Sequence, residues 1–168
     1  MKKSYWAELH WKNKHAEKIM RKFLLKNSTS VKFANKPFID GLFFRKVYCT
    51  NKDPLFRKVE KQLKPFFVKK QVRTRKGFIF RWKNIRTNYY EYKLTHELKQ
   101  IIDKETLFWC TMPPNKTSNF YGFEDPVFYK NGKLVAKVMS LDRYVNLRLS
   151  RDEKRFLEKK GIELIKEE

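Results

Sequence analysis

Cationic and aromatic side chains alternate through residues 56–86 of the chain. Twelve Lys or Arg residues lie in this segment against one acid, Glu60, so its net charge is +11. In an extended strand, Phe78, Phe80 and Trp82 share one face, because side chains alternate with period two. Cations that contact phosphates and flat rings that stack on bases are the two ingredients of single-stranded nucleic-acid binding. The residue types and their spacing therefore predict a surface for a phosphate-bearing polymer.

The predicted surface combines phosphate-contacting cations with stacking rings. Its expected members are Lys69, Lys70, Arg73, Arg75, Lys76, Arg81, Trp82, Lys83, Arg86, Tyr89 and Tyr90. The rings of Trp82, Tyr89 and Tyr90 stack on bases only if they are exposed. In the alternative interpretation, the aromatic side chains of residues 78–82 face the core and only the cations are available to a ligand. RNA or another single-stranded nucleic acid is the favoured partner, with no enzymatic step.

One short motif in this segment resembles a known RNA-binding signature. Residues Lys76–Phe80, Lys-Gly-Phe-Ile-Phe, resemble the start of the RNP1 signature of RNA-recognition-motif domains, in which strand aromatics stack on bases. Val47–Asn51 is similar to the companion strand of that family, and the order of elements between about residues 42 and 111 reads as its βαββαβ layout. Lys83 stands where that signature has an aromatic, and Asn84–Leu94 is an insertion. The resemblance covers less than half of the chain, which is not assigned to the family.

A second resemblance concerns acidic residues. Glu91-Tyr92-Lys93 on a predicted strand, together with Asp40, resembles the acid–acid–lysine pattern of restriction-endonuclease-like enzymes. The resemblance implies that the carboxylates of Asp40 and Glu91 hold a divalent metal and that Lys93 orients the attacking water. A metal-dependent nuclease is therefore an alternative from a different class.

Positive charge is concentrated in the N-terminal half of the chain. Residues 1–90 hold 25 Lys or Arg against 5 Asp or Glu, whereas residues 91–168 hold 15 against 13. A surface this basic attracts polyanions, nucleic acid first among them. Docking on an acidic protein or an anionic membrane surface is a third alternative, and a basic surface that is merely solvated is the fourth.

Other site chemistries lack their motifs. His96-Glu97 begins like a zinc-binding H-E-x-x-H, but Gln100 occupies the second ligand position. The five glycines form neither a phosphate-binding loop nor a dinucleotide fingerprint. Cys49 and Cys110 lie far apart, so we expect two reduced thiols. We therefore expect no metal or other cofactor.

No apolar run approaches the length of a membrane span, and a cytoplasmic location is expected. The oligomeric state stays open.

Capping residues and periodicity predict the elements that must position these side chains. A helix over residues 13–26 has an apolar stripe, and its outer face carries Lys14, Lys18, Arg21 and Lys22. Further helices should follow Asp53-Pro54, Thr95 and the capping box of Ser150 and Glu153. Strands are expected at 31–33, 42–49, 66–75, 78–83 and 107–111, with a hairpin of 127–129 and 134–139 around Asn131-Gly132.

These elements predict a single α+β domain over residues 1–168. Its mixed or mainly antiparallel sheet should be covered by short helices and completed by the C-terminal hairpin and helix. A sub-boundary is placed in the loop 112–119, between a basic part, 1–111, and a near-neutral part, 120–168.

Overall fold

The computed structural model of the protein describes residues 2–10, 12–35, 38–40, 46–48, 53–75, 85–108 and 122–167. In these ranges the chain forms ten strands, four α-helices and one turn of 3-10 helix at Lys64–Phe66. In chain order the elements are β1 (Lys3–Glu8), α1 (Lys14–Asn27), β2 (Ser30–Asn35), β3 (Phe38–Asp40), β4 (Lys46–Tyr48), α2 (Pro54–Leu63), β5 (Phe67–Arg75), β6 (Ile85–Lys93), α3 (His96–Asp103), β7 (Glu124–Lys130), β8 (Lys133–Met139), β9 (Tyr144–Leu149), α4 (Arg151–Lys159) and β10 (Ile165–Lys166).

Eight of these strands form one antiparallel sheet in the order β10-β1-β9-β8-β7-β2-β6-β5, and β3 pairs with β4 in a second, two-stranded sheet. β1 pairs with β9 and β10, and β2 lies between β6 and β7. Strands from the basic and the near-neutral part therefore share one sheet. The predicted single α+β domain with a mainly antiparallel sheet is confirmed, while the loop 112–119 lies outside the described residues.

Local capping signals fix the ends of the helices. Asp53 Oδ1 accepts a hydrogen bond from the backbone N–H of Leu55 at 2.8 Å, and Pro54 occupies the first turn of α2, where no N–H is needed. At α4, Ser150 Oγ accepts from the N–H of Glu153, while Glu153 Oε2 accepts from the N–H of Ser150 at 2.7 Å. The predicted N-cap and capping box are both confirmed.

The C-terminal hairpin is confirmed as well. Asn131 and Gly132 have φ values of +50° and +77°, the left-handed conformation that a two-residue type I′ turn requires. β7 begins at Glu124, earlier than the predicted residue 127. The turn after β8 is held to β7, because the N–H of Ser140 donates to Asp125 Oδ1 at 2.9 Å.

The hydrophobic core lies between one face of the eight-stranded sheet and the four helices. Met20 and Leu24 of α1 and Leu98 and Ile102 of α3 are fully buried. From the sheet side they are met by Val31, Phe33, Tyr90, Tyr92, Phe128, Ala136, Val138, Val145 and Leu147. Because successive side chains of a strand alternate, each strand residue points either toward the helices or toward the other side of the sheet.

Two sequence predictions need correction. Arg21, placed on the solvated face of α1, is buried, because Glu17 lies 2.7 Å and Asp103 3.4 Å from its guanidinium nitrogens. Its charge is therefore neutralised inside the protein. Leu107 and Phe108, expected to begin a strand, are buried outside any strand, and Leu107 N–H donates to Glu17 Oε1.

β5 is confirmed as a strand, and its described partner is β6, with Arg75 opposite Ile85. The strand predicted at residues 78–83 lies outside the described part of the chain, as do both cysteines. Among the described helices, none combines the length and the apolar character that crossing a membrane requires.

Candidate functional site

The described members of the predicted surface lie on β5 and β6, at one end of the sheet. The register places Lys70 opposite Tyr90 and Thr74 opposite Arg86, so these side chains share the face that the helices cover. Lys69 and Arg73 point to the other face, as does Tyr89. The structure therefore divides one predicted surface between the two faces of a hairpin.

Several predicted members cannot be placed. Lys76, Arg81, Trp82 and Lys83 lie outside the described residues, and only the backbone of Arg75 is described. The RNP1-like motif and the question of whether its aromatics face the core lie there too. The site is therefore built from β5, β6 and their described neighbours.

We call the helix-free face of β7, β2, β6 and β5 the open face. Its polar and aromatic side chains are exposed or half-buried, whereas Val31, Phe33, Tyr90, Tyr92 and Phe128 on the opposite face are buried. The open face is defined by Lys32, Lys69, Gln71, Arg73, Tyr89, Glu91, Lys93, Glu124 and Tyr129.

Two tyrosines on the open face each carry a cation over the ring. Lys32 Nζ lies 5.4 Å from the ring centroid of Tyr129, and Arg73 Cζ lies 5.5 Å from that of Tyr89. Lys32 Nζ also donates a hydrogen bond to Gln71 Oε1 at 3.1 Å. These contacts join all four strands, because Tyr129 is on β7, Lys32 on β2, Tyr89 on β6 and Gln71 on β5.

The charges of the open face act on one another across the strands. Burial, and then the charge of Glu91, raises the pKa of Tyr129, and the charge of Arg73 opposes this effect. Glu91 itself accepts a hydrogen bond from Ser30 Oγ at 3.3 Å and lies 3.5 Å from Lys69 Nζ. The open face therefore behaves as one electrostatic unit from β7 to β5.

Positive charge dominates this unit. From β7 to β5 the described open-face side chains include the four cations Lys32, Lys69, Arg73 and Lys93 and the two acids Glu91 and Glu124. The side chain of Lys69 remains 54% exposed despite its ion pair. A surface with excess cations and accessible rings can contact phosphates and aromatic bases together.

Tyr90 does not belong to this surface. It is 4% exposed and packs against the rings of Phe56 and Phe123, so its faces are unavailable for stacking on a base. Burial, assisted by the charge of Glu60, raises the pKa of Tyr90 to about 12. Lys70 Nζ lies 5.3 Å from its ring centroid, on the helix side of the sheet. Arg86 is exposed on that side.

The residues of the nuclease alternative are only partly placed. Glu91 and Lys93 share the open face, while Asp40 ends β3 in the separate two-stranded sheet, and its side chain is outside the described set. Glu91 is engaged by Lys69 and Ser30. Within the described ranges, no group of three or more His, Cys, Asp or Glu side chains could hold a metal ion.

Sequence reasoning missed Lys32 and Tyr129, which complete the open face. They lie far from residues 56–86 and reach it through the pairing of β2 with β6 and β7. The local signal is the polar Ser30 and Lys32 alternating with the apolar Val31 and Phe33. That pattern indicates an exposed face but does not name the neighbouring strands.

The fold and the site together define an α+β protein with a half-open antiparallel sheet. Comparison with protein-family models, curated proteins and solved structures finds no match to the chain.

Proposed function

We propose that the protein binds nucleic acid through the open face, with RNA or another single strand as the favoured partner and no catalytic step. The observation that carries this proposal is the network in which Lys32 covers Tyr129 and Arg73 covers Tyr89 on one half-exposed sheet face. Such a face offers each nucleotide the two contacts it can make without sequence readout, a cation for its phosphate and a ring for its base.

The spacing of the two rings suits a polymer. Tyr89 lies opposite Ala34 and Tyr129 opposite Ser30, on the two strands that flank β2. Two strand spacings across the sheet and four residues along it separate them by about 16 Å. Lys32 on the intervening strand lies between them. Two bases of one strand can therefore stack on different tyrosines while a phosphate from the nucleotides between them meets Lys32, with Lys69 and Lys93 available to the flanking phosphates.

Phosphate contact makes the binding salt-dependent. Four contacts from Lys32, Lys69, Arg73 and Lys93, each contributing a slope of about −0.7, predict about a 50-fold loss of affinity between 50 and 200 mM salt. Fluorescence anisotropy with a labelled ten-nucleotide oligouridylate measures this loss. No binding at 50 mM salt, or binding that is independent of salt, would end the proposal.

Two experiments on the same purified protein distinguish the alternative functions from nucleic-acid binding. If RNA incubated with the protein and Mg²⁺ or Mn²⁺ is cleaved, and Glu91→Ala abolishes cleavage, the nuclease with Asp40, Glu91 and Lys93 replaces the binding protein. If anionic vesicles sediment with the protein while oligonucleotides do not bind, the basic face docks on a membrane instead. The expected cytoplasmic location stays a prediction, which fractionation tests.

A further inference from the structure

A cleft of about 500 Å³ opens on the helix side of the β5–β6 hairpin, opposite the open face. One wall is α2 with the 3-10 turn, the other is β5, and the floor is β6. Its volume lies within the range of about 300–1,000 Å³ typical of sites for small organic ligands. The proposed open-face binding uses none of the side chains that line it.

Four cations surround the cleft. Arg57, Lys61 and Lys64 are spaced at i, i+4 and i+7 along the wall, and Lys70 faces them from β5. Within the described part of the chain, none of the four forms an ion pair. Four cations around one concave space, none in an ion pair with a described acid, favour an anionic ligand, and a phosphate group accepts several such contacts together.

The floor supplies neutral hydrogen-bonding groups. Tyr90 and Tyr92 are 4% and 1% exposed, yet both line the cleft. Burial, with the charge of Glu60, raises the pKa of both phenols, so both hydroxyl groups stay protonated at neutral pH. A ligand with acceptor atoms can take a hydrogen bond from each hydroxyl group.

Two further groups narrow the ligand class. The ring of Phe67 is an exposed aromatic wall at 46% exposure, held by an edge contact with Tyr92 at 6.0 Å between ring centroids. Glu60 is the one acid among the described lining residues, and a carboxylate group accepts hydrogen bonds. The ligand should therefore combine a phosphate with a flat ring and with hydroxyl or amino donors. We infer that this cleft binds a nucleoside monophosphate group, either free or at the phosphorylated end of a nucleic-acid strand.

Calorimetric titration with adenosine 5′-monophosphate (AMP) tests the inference. Lys61→Glu should weaken AMP binding about tenfold or more, because it removes one charged contact and adds a repulsion. The matched control is Lys58→Glu, an exposed lysine of the same helix outside the lining, which should stay within about twofold. Phe67→Ala should also weaken binding, whereas Phe156→Ala, at the similarly exposed Phe156 of α4, should not.

Ligand controls make the result decisive. Adenosine and inorganic phosphate should each bind more weakly than AMP, since each lacks one half of the recognised group. Competition with decauridylate then identifies the source of the nucleotide. If the 5′-phosphorylated strand displaces AMP and the 5′-hydroxyl strand does not, the ligand is the phosphorylated end of a strand. If neither strand displaces AMP, the ligand is the free nucleotide.

No AMP binding, or equal losses of affinity in Lys58→Glu and Lys61→Glu, would overturn the inference. Because Arg73 is outside the cleft, an Arg73→Glu protein that loses oligouridylate but keeps AMP shows that the two proposals stand or fall separately.

Discussion

The guanidinium group of Arg73 lies over the ring of Tyr89, 5.5 Å from its centroid. Tyr89 lies directly opposite Gln71, and Arg73 is two residues further along β5. Arg73 and Tyr89 are therefore diagonal neighbours on the same face of β5 and β6. At an exposed site such a contact is worth about 0.5–1 kcal/mol, whereas a stacked base contributes about 1–3 kcal/mol. A base can therefore displace the guanidinium group, which is then free to turn toward the neighbouring phosphate.

Tyr89→Ala should weaken oligouridylate binding by about 5- to 100-fold, because it removes one stacking platform. Tyr144→Ala is the matched control, since Tyr144 is on the same face of the sheet, on β9, but outside the open-face network. It should change the affinity by less than about twofold. Fluorescence anisotropy at constant salt measures both, and equal losses would contradict a stacking role for Tyr89.

Arg73→Glu should reduce the steepness with which affinity falls with salt. Each lost phosphate contact lowers the slope of log K against log salt by about 0.7 for a single strand. Lys18→Glu makes the same change of charge at an exposed position of α1. If both variants show the same slope, general attraction to a basic protein explains the binding and the open face has no special part in it.

Gly122→Ala should destabilise the protein by about 2–5 kcal/mol. Gly122 has φ +84°, and an added Cβ would lie 2.4 Å from Cδ2 of Phe56, whose ring is stacked on Phe123 with centroids 4.9 Å apart. Gly132→Ala separates the cost of the positive φ from the cost of the clash, because Gly132 has φ +77° with open space around it. This substitution should lower the free energy of unfolding by about 1–2 kcal/mol. Urea denaturation measures both free energies of unfolding. Equal costs would show that the contact with Phe56 is not restrictive.

Glu153→Gln should destabilise the protein at pH 7 but much less at low pH. Burial alone would raise the pKa of Glu153, but the hydrogen bond from the Ser150 N–H and the ion pair with Lys2 outweigh it and lower the pKa. A carboxyl group with a lowered folded-state pKa stabilises the fold above its unfolded pKa and loses this contribution as pH falls through the folded value.

The difference between Glu153→Gln and the unaltered protein should therefore shrink below about pH 4.5. Thermal unfolding from pH 7 down to pH 3 measures it, with the exposed Glu163→Gln as control. A difference that stays constant over this range would show that the side-chain shape of Glu153, not its charge, supports the capping box.

Elements that depend on neighbouring residues could be predicted from the sequence. The N-cap at Asp53, the turn at Asn131-Gly132 and the capping box at Ser150 each satisfy backbone groups within a few residues, so their signals are local. The α+β class follows from the same signals. Of these signals, only the turn specifies a strand pairing, that of β7 with β8.

The arrangement of the candidate site depends on long-range pairing, which the sequence does not reveal. Period two separates Tyr89 from Tyr90, but only the packing of Phe56 and Phe123 against Tyr90 decides which of the two is buried. Likewise, Arg21 resembles its solvated lysine neighbours until Asp103, 82 residues later, reaches it. For the same reason the described members of the surface predicted over residues 56–86 divide between two faces, since successive side chains of a strand point to opposite sides of the sheet.

β5 ends the eight-stranded sheet, so one side of its backbone has no strand beside it among the described residues. The side chains of Phe67, Val68 and Val72 are exposed along β5. An edge strand with exposed apolar side chains favours pairing with the same strand of a second copy. Lys69, Lys70 and Arg73 oppose this pairing by mutual repulsion between copies. Any partner that screens these three charges also removes that protection, so saturating the protein with a polyanion should promote its self-association along this edge.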